Sequence, residues 1–298
     1  MKYDVVIIGA GPAGLTAGLF AVRAGLKVLC LEQLAVGGQA SISANIENYP
    51  GFISISGYDL TTKMEEQAKH YGLELIYGKV KKLSKLKSGF SIKTDDELYH
   101  AKKVIIACGS VVRKLNVKNE LELTGRGVSY CASCDGNFFK GKQVAIVGGG
   151  NTALEDVKYM AKISKKIYLI HRSDKFKFGK FELSKLNQIK NLEVITYAQV
   201  KRLNGNENLE SIDIAINGKE RNLKVSGLFV AIGYQPELNF VDFELKKDKA
   251  GYIVTDKNMK TSVDDLYACG DIVSKNFRQV INACSEGAIA GNSCVGVI

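Results

Sequence analysis

Gly9-Ala10-Gly11-Pro12-Ala13-Gly14 is the stretch on which the reading of this chain turns. A short β-branched run, Tyr3 to Ile8, leads into it. A small-residue stretch from Leu15 to Ala24 leads out and is closed by Gly25, after which Val28 to Glu32 reads as a second strand. Strand, G-x-G-x-x-G, helix, strand and acid together are the fingerprint of a dinucleotide-binding unit. The first glycine permits the tight turn, the second lets backbone approach a pyrophosphate, and the third lets helix and strand close up. The helix N-terminus offers partial positive charge to the phosphates. Glu32 stands 18 residues after Gly14, where a carboxylate can accept both ribose hydroxyls.

The pattern recurs further on. Gln143 to Val147 reads as a strand, Gly148-Gly149-Gly150-Asn151-Thr152-Ala153 as a G-x-G-x-x-A turn, Leu154 to Ile163 as a helix and Lys166 to His171 as the next strand. No acid follows this second unit. Arg172, Lys175, Lys177 and Lys180 do, and cations at that place suit a ribose 2′-phosphate, with a solvated lysine surface as the other reading. Between the two units, Leu60 to Tyr71 is amphipathic at helical spacing. Leu73 to Lys103 alternates like a β-meander with turns at Ser88-Gly89 and Asp95-Asp96, and Val104 to Ala107 is a buried strand ending at Gly109. Residues 187–230 are strand-rich, and Ile232-Gly233-Tyr234-Gln235-Pro236 marks an exit. Beyond Leu266-Tyr267-Ala268-Cys269-Gly270-Asp271 a small-residue helix is expected from about Phe277 through Gly291. A strand ending in Gly270-Asp271 can place a carboxylate on a ribityl or ribose hydroxyl, and the helix after it can stabilise negative charge on a reduced isoalloxazine.

Cys131-Ala132-Ser133-Cys134-Asp135-Gly136 lies just before the second glycine turn. A C-x-x-C pair closes a small ring, so it opens and closes without unfolding the chain, and its thiols can trade electrons. A zinc ribbon would need a second pair. The remaining cysteines, Cys30, Cys108, Cys269, Cys284 and Cys294, lack that spacing, and the only histidines are His70, His100 and His171. The pair therefore reads as a redox disulfide rather than a metal site or an inert pair, and no metal is expected.

Composition narrows the class. An odd count of 7 Cys, mostly within apolar runs, suits a reducing cytoplasm better than a disulfide-stapled secreted protein. Lys2 and the apolar run after it could pass for a signal peptide, but Asp4 and the glycine turn fit a strand of the folded protein, and no run reaches membrane-spanning length. The net charge of +10 comes from lysine, densest at Lys79, Lys81, Lys82, Lys85 and Lys87. With no nucleic-acid module in view, this is a solvated surface or a site for an acidic protein partner.

Taken in order, GAGPAG, VGGQ, IENYPG, CASCDG, GGGNTALED, IHRSDKFK, IGYQPE, GYIVTDKNMKTS and ACGDI followed by NFRQVINAC resemble the low-molecular-weight bacterial thioredoxin reductases over essentially the whole chain. The resemblance implies an α/β fold of two Rossmann-like (three-layer ββα/βα) dinucleotide-binding domains, the second inserted in the first. Residues 1–112 and 244–298 would form the FAD domain and 113–243 the NAD(P)H domain carrying the redox pair, with hinges near 112–117 and 242–246. It implies FAD contacts at Gly9, Gly11, Pro12, Ala13, Gly14, Glu32, Gly38, Gln39, Asn48, Gly109, Gly270, Asp271, Arg278, Gln279 and Val280. NADPH contacts would come from Gly148, Gly150, Asn151, Thr152, Ala153, His171, Arg172, Lys177, Ile232 and Gly233. Electrons would pass from NADPH through FAD to the Cys131/Cys134 disulfide and on to the disulfide of thioredoxin. Cys134 would lie nearest the flavin, Asp135 would handle protons, and the inserted domain would rotate between two partners. A homodimer is expected from the family alone.

The chain departs from that pattern at one place. The family's phosphate-binding run is usually His-Arg-Arg with a further Arg four residues on, whereas here Ser173 and Lys177 replace two arginines, and lysine lacks the bidentate fork. NADH, or an acidic ferredoxin suited to a basic protein, therefore stands beside NADPH as electron donor. A flavin-binding protein whose role is association without turnover is the reading from another class; the Cys pair argues against it. The flavoprotein of an alkyl hydroperoxide reductase would carry a further N-terminal thioredoxin-like region.

Overall fold

The computed structural model describes residues 2–43, 45–178, 180–186 and 188–296. They form two compact units: Met1–Val111 with Gln235–Ile298, and Val112–Tyr234 between them. The first unit opens with β1 (Lys2–Ile8), α1 (Pro12–Arg23) and β2 (Val28–Glu32). Then come α2 (Gly57–His70), β3 (Glu74–Tyr77), β4 (Lys82–Lys85), β5 (Phe90–Lys93) and β6 (Leu98–Ile106). β3, β2, β1 and β6 lie side by side and parallel, Ile8 level with Leu31 on one side and Ile106 on the other. β1 is buried on both faces, as strands of parallel sheets are: Val5 and Ile7 pack with the helices, Val6 and Ile8 with Leu83, Phe90 and Ile92 of the meander.

Two expectations change here. The 73–103 meander loses its first strand, because Glu74–Tyr77 pairs parallel with β2 and buries Leu75 and Ile76 toward opposite faces. The strand break expected near 103 is absent. β6 runs unbroken because it changes partner midway: Leu98–Ala101 pair antiparallel with β5, while Val104–Ile106 take a parallel partner from the end of the chain.

The second unit repeats the architecture. β7 (Val128–Ser129), β8 (Gln143–Val147), α3 (Asn151–Met160), β9 (Lys166–Ile170) and β10 (Leu192–Ile195) are followed by β11 (Ala198–Asn204), β12 (Ser211–Ile216), β13 (Lys219–Lys224) and β14 (Gly227–Val230). A parallel sheet in the order β10-β9-β8-β14-β7 carries α3 on one face, against Val144 and Ile146. The antiparallel ribbon β11-β12-β13 lies on the other, against Ala145 and Val147.

The chain returns to the first unit at Gln235, ahead of the expected 244. Residues 238–245 already belong to that unit's core: Leu238 and Leu245 are buried in it, and the Leu83 N–H donates to the Phe240 carbonyl at 2.7 Å. β15 (Leu266–Ala268) then supplies the parallel partner of β6, and α4 (Val280–Val295) lies along α1. That contact is backbone-close. A Cβ on Gly287 would stand 2.2 Å from the Ala13 carbonyl oxygen and one on Gly291 2.4 Å from that of Ala17. α4 starts at Val280 rather than 277, since Gln279 is still extended at φ −143°.

Candidate active site

In the first unit the carboxyl ends of β1, β2, β6 and β15 lie on one edge of the sheet, and a cleft of about 470 Å³ opens beyond them. This is where an open α/β sheet binds its ligand. Gly9, Gly11, Pro12, Ala13, Glu32, Gly38, Gln39, Gly109, Gly270, Asp271, Arg278, Gln279 and Val280, all named from the sequence, line it. A second compartment of about 330 Å³ shares Gly9, Glu32 and Cys108 with the first and extends past Gly78 to Lys81 and Glu237 to Phe240. Sequence reading missed these outer walls. Their signal was position alone: they follow β3 and the return crossing, near strand ends that carried no motif.

The glycines divide the labour. Gly9 has φ +105°, and a Cβ there would strike the Ala107 carbonyl at 2.5 Å, while one on Gly14 would fall 1.9 Å from the Gly9 oxygen. Gly11 meets nothing within 4 Å, so the space its missing side chain leaves opens on the cleft. The Glu32 carboxylate is buried and accepts the Ala10 N–H at 2.7 Å and the Leu34 N–H at 2.9 Å. Those bonds fix the turn and leave two of a carboxylate's four acceptor positions for a ligand. At the other end Asp271 Oδ1 is buried with no hydrogen-bond partner among the described residues, the acceptor a ribityl hydroxyl would satisfy. Asn48 stands off the cleft wall and reaches it by donating to Gln279 Oε1 at 3.0 Å. Cys108 sits at the cleft, where burial pushes its thiol up to about 12 and keeps it neutral.

In the second unit Cys131 and Cys134 are joined in a disulfide. Cys131 caps the helical turn Ala132–Asp135, its sulfur accepting the Cys134 N–H at 3.2 Å; Cys134 is exposed and Cys131 half-buried. Ser129 donates to Asp135 Oδ2 at 2.6 Å and accepts the Cys131 N–H at 3.1 Å, so one buried hydroxyl sets both the acid and the disulfide's entry strand. Tyr130 donates to buried Glu120 at 2.8 Å, and burial with that carboxylate pushes the phenol up to about 12. A cavity of about 420 Å³ reaches Ser129 and Asp135, with Arg126, Lys142 and the three-quarters-exposed Phe138 on its wall.

The second glycine turn is built differently from the first. Gly148 is locked, a Cβ there lying 2.3 Å from the Ala231 oxygen; Gly150 is open; and Ala153 is fully buried where the first turn has Gly14. Gly149 is overlain by the His171 ring, 2.4 Å from where a Cβ would be, and its carbonyl accepts the Lys177 N–H at 2.7 Å. His171 in turn lies against Phe176, the ring centroids 4.8 Å apart and the planes tilted by 32°. Asn151 and Thr152 at the start of α3, with Arg172 and Lys177, are exposed around the turn, as is Gly233, while Ile232 packs on the core. The Lys180 side chain lies outside what the structure describes. No group of three or more potential metal ligands occurs among the described residues, and none of their helices is long and apolar enough to cross a membrane.

A cleft at the strand ends of one glycine-turn unit, and a C-x-x-C disulfide ahead of a second such turn in the other, point to a disulfide oxidoreductase of the two-nucleotide class. Residues 3–287 match the family described as pyridine nucleotide-disulphide oxidoreductase. The chain is 39% identical to the thioredoxin reductase of Bacillus subtilis (strain 168), over 98% of this chain and 93% of that one. The Lactococcus lactis thioredoxin reductase crystal structure superposes with a TM-score of 0.89 at 35% identity, covering 98% of each chain. A ferredoxin-flavin thioredoxin reductase from Clostridium acetobutylicum matches at 30% identity and a TM-score of 0.55, over 99% of this chain and 97% of that one. This chain belongs to the pyridine nucleotide-disulphide oxidoreductases, on their low-molecular-weight thioredoxin reductase branch. The chemistry of that family joins a flavin to a pyridine nucleotide.

Proposed function

We propose that the protein is a thioredoxin-disulfide reductase that carries electrons from NADPH, through FAD in the first unit's cleft, to the Cys131–Cys134 disulfide and on to thioredoxin. The observation that carries this reading is the accessible disulfide with Asp135 held beside it by Ser129. FAD, when bound, supplies a group that accepts a hydride and hands on two electrons. In that cleft the Gly11 turn and the N-terminus of α1 would meet the pyrophosphate, Glu32 the ribose and Asp271 the ribityl chain, with the N-terminus of α4 at Gln279 and Val280 beside the ring.

Once reduced, the Cys131 thiolate attacks one sulfur of the thioredoxin disulfide. A mixed disulfide forms, and the released thiolate takes the proton that Asp135 accepted from the Cys131 thiol. Cys134 then passes its own proton to Asp135 and attacks Cys131 Sγ, which re-forms the internal disulfide and frees the second thioredoxin thiolate to take that proton. Phe138 offers an apolar contact for the incoming protein. A second copy of the chain as partner and a cytoplasmic setting belong to the same reading.

The second reading concerns the donor. A ferredoxin as donor is supported by Ser173 in place of arginine, by the His171 ring over Gly149 and by the likeness to a ferredoxin-flavin reductase. The test is anaerobic mixing of the flavoprotein with NADPH, NADH or reduced ferredoxin while flavin absorbance is followed. Rapid bleaching by NADPH is expected. Bleaching by ferredoxin alone would replace the donor and leave the Cys131/Cys134 chemistry in place.

A further inference from the structure

The Glu286 carboxylate is buried inside the first unit, where it ties together three parts of the chain. Its Oε2 accepts the Gly270 N–H at 2.8 Å and the Lys275 ammonium at 2.7 Å, and its Oε1 accepts from Asn282 Nδ2 at 2.9 Å. The Lys275 and Glu286 side chains are only 11% and 12% exposed, and the same ammonium stands 3.6 Å from Asp271 Oδ1. A cation is thus held between two carboxylates directly behind Gly270 and Asp271, which form the cleft wall.

A buried ion pair is weak evidence for stability, since apolar replacements of similar volume are often neutral or better. What the pair does do is fix the charge beside the cleft. Two carboxylates and one ammonium leave a single net negative charge. Without Lys275 there would be two, one of them on the largely shielded Glu286 and the other on the partly exposed Asp271. Addition of electrons to a flavin raises its electron density, so local charge alters the balance between its oxidised and reduced forms.

We infer that Lys275 and Glu286 act as a positioning pair that sets the charge at the ribityl end of the cleft, and with it the relative affinity for oxidised and reduced flavin. This rests on the reading that the cleft holds FAD. Asp271 is the contact, and the pair acts through it and through the Gly270 turn.

The test compares the full-length protein with Lys275→Met, Glu286→Gln, the double variant and Lys275→Arg. Oxidised FAD affinity is measured by fluorescence quenching on the apoprotein. The ratio of affinities for the two flavin forms comes from equilibration of the holoprotein with a dye of known potential. Lys275→Met is expected to shift that ratio toward oxidised flavin by about tenfold, one unit charge acting across a partly shielded contact. Glu286→Gln should shift it the opposite way, because glutamine keeps the bond to the Gly270 N–H and removes the charge. The double variant, with its charge count restored, should return to within about threefold of the parent, and Lys275→Arg should match the parent. A pair serving only as scaffold would instead move both single variants in the same direction, and that result overturns the inference. Unchanged ratios in all four variants overturn it as well. Failure of the parent protein to bind FAD is a separate outcome that overturns the reading of the cleft itself.

Discussion

The two glycine turns share a pattern and differ in what lies over them. In the first, the middle glycine opens on a cleft and an acid at the end of the second strand anchors the turn by two backbone bonds. In the second, the matching Gly150 is equally open, but a histidine ring overlies the neighbouring Gly149, and the cationic loop ties itself to the turn through the Lys177 N–H. The repeated fold supports both arrangements because the difference lies in side chains at the end of the second strand and just after it.

Cys134→Ser should separate the units most sharply. Turnover with thioredoxin is expected to fall by about 1,000-fold or more, as when a nucleophile is removed, while bleaching of the flavin by its donor persists in stopped-flow traces. Loss of both would mean that the units are not independent in their chemistry. Gly14→Ala comes next, because its Cβ would land on the Gly9 carbonyl. A loss of about 3 kcal/mol in denaturant unfolding and of bound flavin is expected, whereas the equivalent position of the second turn already carries a buried alanine. An unaffected Gly14→Ala would erase the distinction between the turns.

A smaller effect belongs to Asp156 on α3, whose carboxyl burial raises from 3.8 to about 7. A carboxyl with a raised folded value favours the native state below its unfolded pKa and loses that contribution as pH rises through its folded one. The stability of the second unit should therefore decline from about pH 4 to about pH 7. Asp156→Asn should remove the slope and exceed the parent at pH 8 by roughly 2 kcal/mol, discounted for partial exposure; a flat parent profile would contradict this. Least in size is Ser173→Arg, which should tighten NADPH binding about fivefold and leave NADH unchanged in calorimetric titrations. Equal gains for both nucleotides would place Ser173 away from the 2′-phosphate.

Much of this was legible because glycine spacing, strand length and the Cys pair are local signals. Gln143–Val147 matches its expected strand residue for residue, and most residues named for the first cleft line it. The misses involve partners distant in sequence. Nothing near residue 103 tells that β6 exchanges β5 for β15, since the second partner lies more than 160 positions away. The return crossing was placed at 244 by the resemblance alone, whereas the bond from Leu83 to Phe240 and the burial of Leu238 put the preceding residues in the first unit already. His171 could be named for a nucleotide, but its lying over Gly149 depends on Phe176 and on a backbone bond, neither of which has a spacing rule.

The close contact of Gly287 and Gly291 with Ala13 and Ala17 has a consequence for the order of assembly. On the ribosome, residues 112–234 emerge complete, with every strand and helix of their own sheet, before β15 and α4 exist. The first unit is made earlier yet finishes later. Ala13, Ala17 and the β6 edge at Val104 must wait uncovered through the synthesis of well over a hundred residues until the return segment reaches them. During that interval the nascent chain carries an open apolar seam that only β15 and α4 close.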